Sequence, residues 1–289
     1  MRFLSITAVL LVSLLESASS LALSTPAAYG VGKAGFDEFR ASLPDKFDVV
    51  AEGGFSALHK RYLSEVGKEN YDRSKSTLPK DIPVVAAGGY NKVYQLAADP
   101  KAELVTLVID NIRATGGKGS YGAVGKIDAI VALLQSQGKG FTADTVDGEW
   151  LEVLTRQGMK SKASQKIVGG AKKKGRPYSN FDVNKMEFVN AVLTPRGNGK
   201  LVANVKYNPV SSNYDTTHDG KIVIRRIACD IDGANFKYGR FPKLSLPFLK
   251  TKGGYLDFLY MDDDIRITKG NRGGLFVHFR PQYYEQVFQ

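Results

Sequence analysis

The sequence predicts a mainly β protein of the α+β class: an antiparallel β-barrel of about eight strands, preceded by short amphipathic helices. Three observations support this prediction. After Gly148 the apolar residues alternate with polar ones, which is typical of strands that bury one face. Before Gly148 they recur every three or four residues, as in helices. Finally, the 30 glycines, 14 tyrosines and 15 phenylalanines fit a β-rich chain with many turns.

Two helices are predicted directly before the β-rich part. Asp99 supplies a capping carboxylate to a helix that begins at Pro100, a position where proline is favoured. Gly116 ends this helix, and a second helix is predicted between Val124 and Gln137. The apolar stripes are Leu104, Val105, Val108 and Ile112 in the first helix, and Ile127, Ile130, Val131 and Leu134 in the second.

Short strands account for the rest of the prediction. The first begins at Gly148, and Leu201 to Tyr207 alternates most regularly. The other predicted strands are Lys185 to Leu193, Lys221 to Ile231, Asn235 to Tyr238, Tyr255 to Tyr260, Asp264 to Thr268 and Leu275 to Phe279. A closed barrel of about eight strands has an interior for one small ligand. A sandwich of two sheets would have the same periodicity, so the residues leave both arrangements open.

The chain is basic, with a formal net charge of +11, and the charge is concentrated in an insert from Lys160 to Arg176. We predict attachment to an anionic membrane surface through Lys172, Lys173, Lys174 and Arg176. A nucleic-acid partner is not predicted, because the insert has almost no aromatic residues for base stacking. A solvated loop that contributes only solubility is the alternative.

Catalytic and metal-binding motifs are not predicted. The three histidines lie in unrelated segments, and the glycine pairs lack phosphate-loop spacing. Asp262, Asp263 and Asp264 are consecutive at the start of a strand, so their carboxylates point in alternating directions and do not converge on one ion. We expect this acidic turn to pair with Arg266, Lys269 or Arg272. The sequence therefore favours a protein without enzymatic activity, cofactor or metal.

Two motifs carry a resemblance to a known family. They are Gly148-Glu149-Trp150 and the closing segment DDDIRITKGNRGGLFV, Asp262 to Val277. Residues 99–281 resemble the plastid lipid-associated proteins, or fibrillins, whose domain is lipocalin-like. The resemblance implies that Trp150 plugs one end of the barrel and that Arg266 covers its ring. It also implies a non-catalytic protein that holds a prenylquinone, a carotenoid or a similar lipid at thylakoids or plastoglobules.

Two other functions remain open. One is an enzyme, or an enzyme accessory, of plastid quinone or lipid metabolism, which would bring His278, Arg225 and Asp257 together inside the cavity. The other is a structural partner of a photosynthetic complex, with the barrel interior filled by side chains. Ligand identity, oligomeric state and the mature N-terminus are not encoded in any motif.

Residues before the family-like domain have the pattern of a two-part leader. Residues 1–22 have the positive, apolar and small-residue regions of a signal peptide, and residues 23–40 form a segment poor in acids, like a transit peptide. Together they resemble the leaders of algae with complex plastids, which implies a plastid location. A plain secreted protein is the alternative, but the single cysteine, Cys229, argues against it. Residues 41–98 are predicted to be a helical and linker region of unknown role.

Overall fold

The computed structural model describes residues 33–43, 53–80, 82–115, 124–138, 140–156, 177–193, 198–216 and 222–288. The predicted signal peptide, most of the transit-like segment and the basic insert with Lys172, Lys173, Lys174 and Arg176 lie outside these residues. Their roles, and the division of the chain into regions, remain predictions.

Four helices form the N-terminal part of the described chain: α1 (Lys33–Ala41), α2 (Gly54–Ser74), α3 (Val84–Ala87) and α4 (Tyr90–Ala98). The apolar residues of α2 recur at helical spacing and bury one face. Phe39 from α1 and Ala98 from α4 complete a small core with this face, which presents Leu58, Tyr62 and Val66.

Three further helices lead into the sheet: α5 (Pro100–Thr115), α6 (Val124–Ser136) and α7 (Ala143–Val146). The predicted start of α5 is confirmed, because Asp99 Oδ1 accepts a hydrogen bond from the Ala102 N–H at 3.0 Å. A last helix, α8 (Pro281–Phe288), follows the sheet. Among the helices that the structure describes, none is long and apolar enough to span a membrane.

The sheet confirms the predicted fold class. Its strands are β1 (Gly148–Arg156), β2 (Tyr178–Asp182), β3 (Glu187–Leu193), β4 (Gly199–Pro209), β7 (Arg226–Tyr238), β8 (Leu244–Leu246), β9 (Thr251–Met261), β10 (Ile265–Gly270) and β11 (Leu275–Phe279). Their order is β4-β3-β2-β1-β11-β10-β9-β7-β8, and β4 also pairs with β7. Eight strands therefore close into an antiparallel ring of hydrogen bonds, and β8 pairs with the second half of β7 on the edge that β9 uses in the first half. Closure removes the sheet edges that would otherwise expose unpaired backbone groups.

The bounds of two predicted strands are wrong, and three short strands were missed: β2, β8 and Tyr214–Thr216. The predicted strand Lys221 to Ile231 is split at Arg225, whose N–H donates to Asn213 and whose carbonyl accepts from Phe258. The part before the break is β6 (Ile222–Ile224), which pairs with β5 (Tyr214–Thr216) in a separate sheet. The part after it belongs to β7, which continues without a gap through the predicted strand Asn235 to Tyr238. In β2 the apolar residues Tyr178 and Phe181 are three residues apart and do not alternate, so no strand was predicted there.

The ring has two differently packed faces. Outward residues of β1, β9, β10 and β11, such as Ile265, Ile267 and Val277, pack against α4, α5 and α6 in one core. Inward residues from most of the strands form a second core that contains Trp150 and Phe258. Helices α4, α5 and α6 therefore cover part of the outside of the ring, whereas its interior holds inward strand residues together with Phe141 and with Val146 from α7.

Candidate functional site

Inward side chains at the end of the ring that contains Trp150 are buried, and we call this the buried end. The Trp150 indole N–H donates to the Val146 carbonyl at 2.8 Å, so its polar atom is satisfied. Next to it, the rings of Phe181 and Phe188 are stacked with centroids 4.4 Å apart, and Tyr207 lies 5.7 Å from Phe181. The buried end is a packed aromatic cluster.

Arg266 lies within this cluster. Its guanidinium carbon is 5.2 Å from the ring centroid of Trp150 and 4.9 Å from that of Phe181. Its Nη2 donates to Ser179 Oγ. Cation–π contacts of this kind contribute about 0.5–2 kcal/mol each. The structure thus brings the two predicted residues, Trp150 and Arg266, into contact.

Arg280 is a second cation on Trp150, and the sequence analysis missed it. Its guanidinium carbon lies 3.9 Å from the Trp150 ring centroid, and its Nη1 and Nη2 donate to the carbonyls of Asp147 and Thr145, each at 2.6 Å. The antiparallel register that pairs Leu151 with Phe279 brings Arg280 to this position. A basic residue directly after the last strand was the only sequence signal.

Several buried polar atoms that face the ring interior have no hydrogen-bond partner among the described residues. They are Nε and Nη1 of Arg266, Oγ1 of Thr268, Oγ1 of Thr155 and Nδ1 of His278. Register pairs Arg266 with His278, and it pairs both threonines with Phe276, so all of these side chains face inward. An unpaired buried polar atom costs about 1–3 kcal/mol. This group of atoms can accept water or the polar part of an apolar ligand.

Burial also changes the acid–base properties of these side chains. It lowers the pKa of Arg266 to about 9, with a further contribution from the nearby charge of Arg280. It holds the pKa of His278 well below its usual value, and the charge of Arg266 acts in the same direction. His278 is therefore a neutral imidazole in the folded protein at neutral pH.

The opposite end of the ring, which we call the open end, is accessible to solvent. In β3, inward Phe188 is buried whereas inward Asn190 is exposed. Toward this end of the ring, other inward residues are only half-buried, namely Leu201, Ala203, Phe236 and Phe276, although Ala234, opposite Ala203, is buried. Cys229, Ile231 and Leu256 are also half-buried, but they pack against the core that contains Trp150. Most of these side chains are apolar. Inward side chains are thus packed at one end of the ring and partly accessible to solvent at the other.

The family model described as PAP_fibrillin matches residues 101–278, which is more than half of the chain and extends from the second residue of α5 to the last but one residue of β11. The chain belongs to the PAP_fibrillin family. Proteins of this family are plastid lipid-associated proteins and are generally regarded as structural rather than enzymatic. No curated protein and no solved structure matches the chain.

The PAP_fibrillin domain does not bring His278, Arg225 and Asp257 together, as the enzymatic alternative required. Arg225 lies at the break between β6 and β7 and donates from Nη2 to the Gly138 carbonyl at 2.7 Å. Asp257 faces outward and accepts from Arg226 Nη2 at 2.9 Å. Of the three side chains, only His278 faces the interior.

The acidic turn of the PAP_fibrillin domain has a different partner from the predicted one. Lys101, from α5, pairs with Asp262 at 2.9 Å and with Asp264 at 2.7 Å. Arg266 cannot reach the turn because it faces the ring interior. Asp262 Oδ1 also accepts the N–H groups of Asp264 and Ile265, which fixes the turn before β10. Within the described residues, no group of acidic, histidine and cysteine side chains could hold a metal ion.

His278 gives a prediction for pH dependence. The unfolded chain takes up a proton on this side chain near pH 6.5, whereas the folded chain takes one up only at lower pH. The contribution of His278 to the free energy of unfolding is therefore fully present above pH 6.5 and is lost as the pH falls below it, by up to about 1.4 kcal/mol per pH unit. The variant His278→Gln should lose this additional slope in urea unfolding between pH 7 and pH 5.

His59→Gln is the matched control, because His59 is exposed on α2. The slope for this variant measures the effect of removing a histidine from an exposed position. Equal slopes for His278→Gln and the unmodified chain would show that His278 is charged in the folded state.

Proposed function

We propose that this protein holds a hydrophobic molecule of the prenylquinone or carotenoid class inside the strand ring, without catalysing a reaction. The observation that carries the proposal is the change from buried to half-buried apolar side chains along the ring interior. Binding of an apolar ligand is favourable where it displaces water from apolar side chains inside the ring. The unpaired polar atoms next to these side chains give a quinone or hydroxyl group hydrogen-bonding partners.

Trp150 and Arg266 have a structural role in this proposal. Their contact, with Arg280 on the same indole, closes the buried end and makes the ligand enter and leave through the open end. Membership of the PAP_fibrillin family supports a plastid location and association with lipid. Thylakoid membranes and plastoglobules are the proposed sites of action, and the basic insert with Lys172, Lys173, Lys174 and Arg176 is the proposed contact with their anionic surface.

The test begins with lipid extraction and mass spectrometry of the protein isolated from its native plastid without detergent. We expect a stoichiometric prenylquinone or carotenoid. Two recombinant variants, Ala203→Trp and Val202→Trp, are then compared for binding of a prenylquinone or a carotenoid in vitro. The tryptophan at position 203 fills the open part of the interior. Val202 is the matched control, because it is the neighbouring residue of β4 and faces outward.

Ala203→Trp should lose most of its ligand capacity, and Val202→Trp should retain it. Equal binding by both variants would mean that the ligand lies outside the ring. No lipid above the background of an unrelated basic protein would overturn the carrier function.

A further inference from the structure

The turn between β7 and β8 exposes large apolar side chains to solvent. Every residue from 237 to 245 is exposed. The exposed fraction is 41% for Tyr238, 69% for Phe241 and 59% for Leu244. Single exposed apolar residues are common on protein surfaces, whereas three within seven residues form a patch that indicates an interaction site. We call residues 237–245 the rim turn, because β7 ends at the open end of the ring.

A row of aromatic rings connects the rim turn with the ring interior. Phe236 is opposite Leu201 and faces inward. The ring centroids of Phe236 and Tyr238 are 6.4 Å apart, and those of Tyr238 and Phe241 are 6.5 Å apart. The apolar surface of the rim turn is therefore continuous with the apolar interior.

The rim turn also carries positive charge without compensating acids. No acidic residue occurs between Asp232 and Asp257. The same stretch contains five exposed basic residues, Lys237, Arg240, Lys243, Lys250 and Lys252. Within the described part of the chain, none of these five forms an ion pair with a carboxylate. The rim turn thus presents apolar and cationic side chains side by side.

We propose that the rim turn is a membrane-docking surface that binds an anionic lipid bilayer. Basic side chains are attracted to the negative surface of such a bilayer, and adjacent aromatic and leucine side chains enter the boundary between head groups and acyl chains. Nucleic acid would pair with the basic side chains but has no apolar region that could bury Leu244. A loop that contributes only solubility would not require exposed apolar side chains such as Phe241 and Leu244.

Docking in this orientation places the open end of the ring against the bilayer. A hydrophobic molecule then passes between membrane and ring along Phe236, Tyr238 and Phe241 without crossing water. This transfer step rests on the proposed carrier function, whereas the docking itself does not. The rim turn and the basic insert are expected to bind the membrane in different ways. The insert contributes only charge, so its attachment weakens at high salt, whereas the rim turn also contributes apolar side chains.

Sedimentation of the full chain with vesicles tests the proposal. One vesicle population is phosphatidylcholine, and the other is a mixture of phosphatidylcholine and phosphatidylglycerol. We expect binding to the mixed vesicles that persists in part at high salt. The double variant Phe241→Ser and Leu244→Ser should bind at least about tenfold more weakly, because two apolar side chains no longer leave water.

The matched control is the double variant Phe55→Ser and Ile222→Ser, whose side chains are similarly exposed, at 55% and 61%, on other elements. It should bind like the unmodified chain. Circular dichroism of both double variants checks that they are folded, which is expected for changes to exposed side chains.

Two results would overturn the proposal. The first is that the rim-turn variant binds vesicles unchanged, whereas the triple variant Lys172→Ala, Lys173→Ala and Lys174→Ala loses binding. This result would assign membrane attachment to the basic insert. The other is no binding of the unmodified chain to either vesicle, which would favour an acidic protein as the partner. Lipid extraction distinguishes this proposal from the carrier function. Vesicle binding by a protein that carries no bound lipid would contradict the carrier function and support the docking surface.

Discussion

Replacement of Trp150 by alanine is expected to lower the free energy of unfolding by about 3–5 kcal/mol, because it leaves a large cavity in the buried end of the ring. The indole is fully buried among Phe181, Arg266 and Arg280. Both guanidinium groups lose the ring that they cover, and the Val146 carbonyl loses its donor. Trp150→Phe keeps an aromatic ring but removes the N–H, so an intermediate loss of about 1–3 kcal/mol is expected.

Denaturant unfolding followed by far-UV circular dichroism measures these effects, since Trp150 is the only tryptophan and its replacement removes the tryptophan fluorescence signal. Phe241→Ala is the control, because this exposed side chain should change the stability by no more than about 0.5 kcal/mol. A loss below about 1 kcal/mol for Trp150→Ala would show that the buried end is loosely packed. If the closing role is correct, the folded Trp150→Ala protein also retains less lipid.

Replacement of Gly67 by alanine should be almost as damaging, although alanine favours helices by about 1 kcal/mol over glycine. A Cβ atom at Gly67 would lie 1.6 Å from the carbonyl oxygen of Tyr94. This contact is with backbone, so α2 and α4 must move apart. One turn away, Asn70 donates to the carbonyls of Ala97 and Ala98 at 3.1 and 3.3 Å, and separation breaks these bonds too.

We expect Gly67→Ala to lower the free energy of unfolding by about 3 kcal/mol, the upper part of the range for overpacked sites. Lys68→Ala is the matched control, because the neighbouring residue is exposed and alanine is favoured there. Chemical denaturation compares the two variants. Equal stability for Gly67→Ala and the unmodified chain would mean that α2 and α4 do not cross at this distance.

The sequence predicted the parts of the fold that depend on local pattern. The start of α5 could be identified because Asp99 and Pro100 have a local capping function that needs no distant partner. The two-residue period after Gly148 identified most strands, because alternation follows directly from the geometry of a strand with one buried face. Membership of the PAP_fibrillin family was also detectable, from the motifs around Trp150 and Asp262 to Val277.

Long-range pairing was the source of the errors. The break at Arg225 depends on hydrogen bonds to Asn213 and Phe258, which are distant in sequence or on another strand. The acidic turn pairs with Lys101, more than 160 residues away, because α5 packs near the turn. Arg280 reaches Trp150 only through the register between the first and last strands. None of these contacts leaves a periodic signal.

By itself, then, the sequence determined the fold class, most of the strands and the family, because each follows from local periodicity or from a compact motif. The contact between Trp150 and Arg266 was an implication of the family resemblance. Closure of eight strands into a ring was decided by tertiary structure, because a sandwich would have the same alternation. Tertiary structure also decided which inward side chains are buried and which are open to solvent. Exposure depends on how many neighbours surround a side chain in space, and alternation along a strand shows only the face on which it lies.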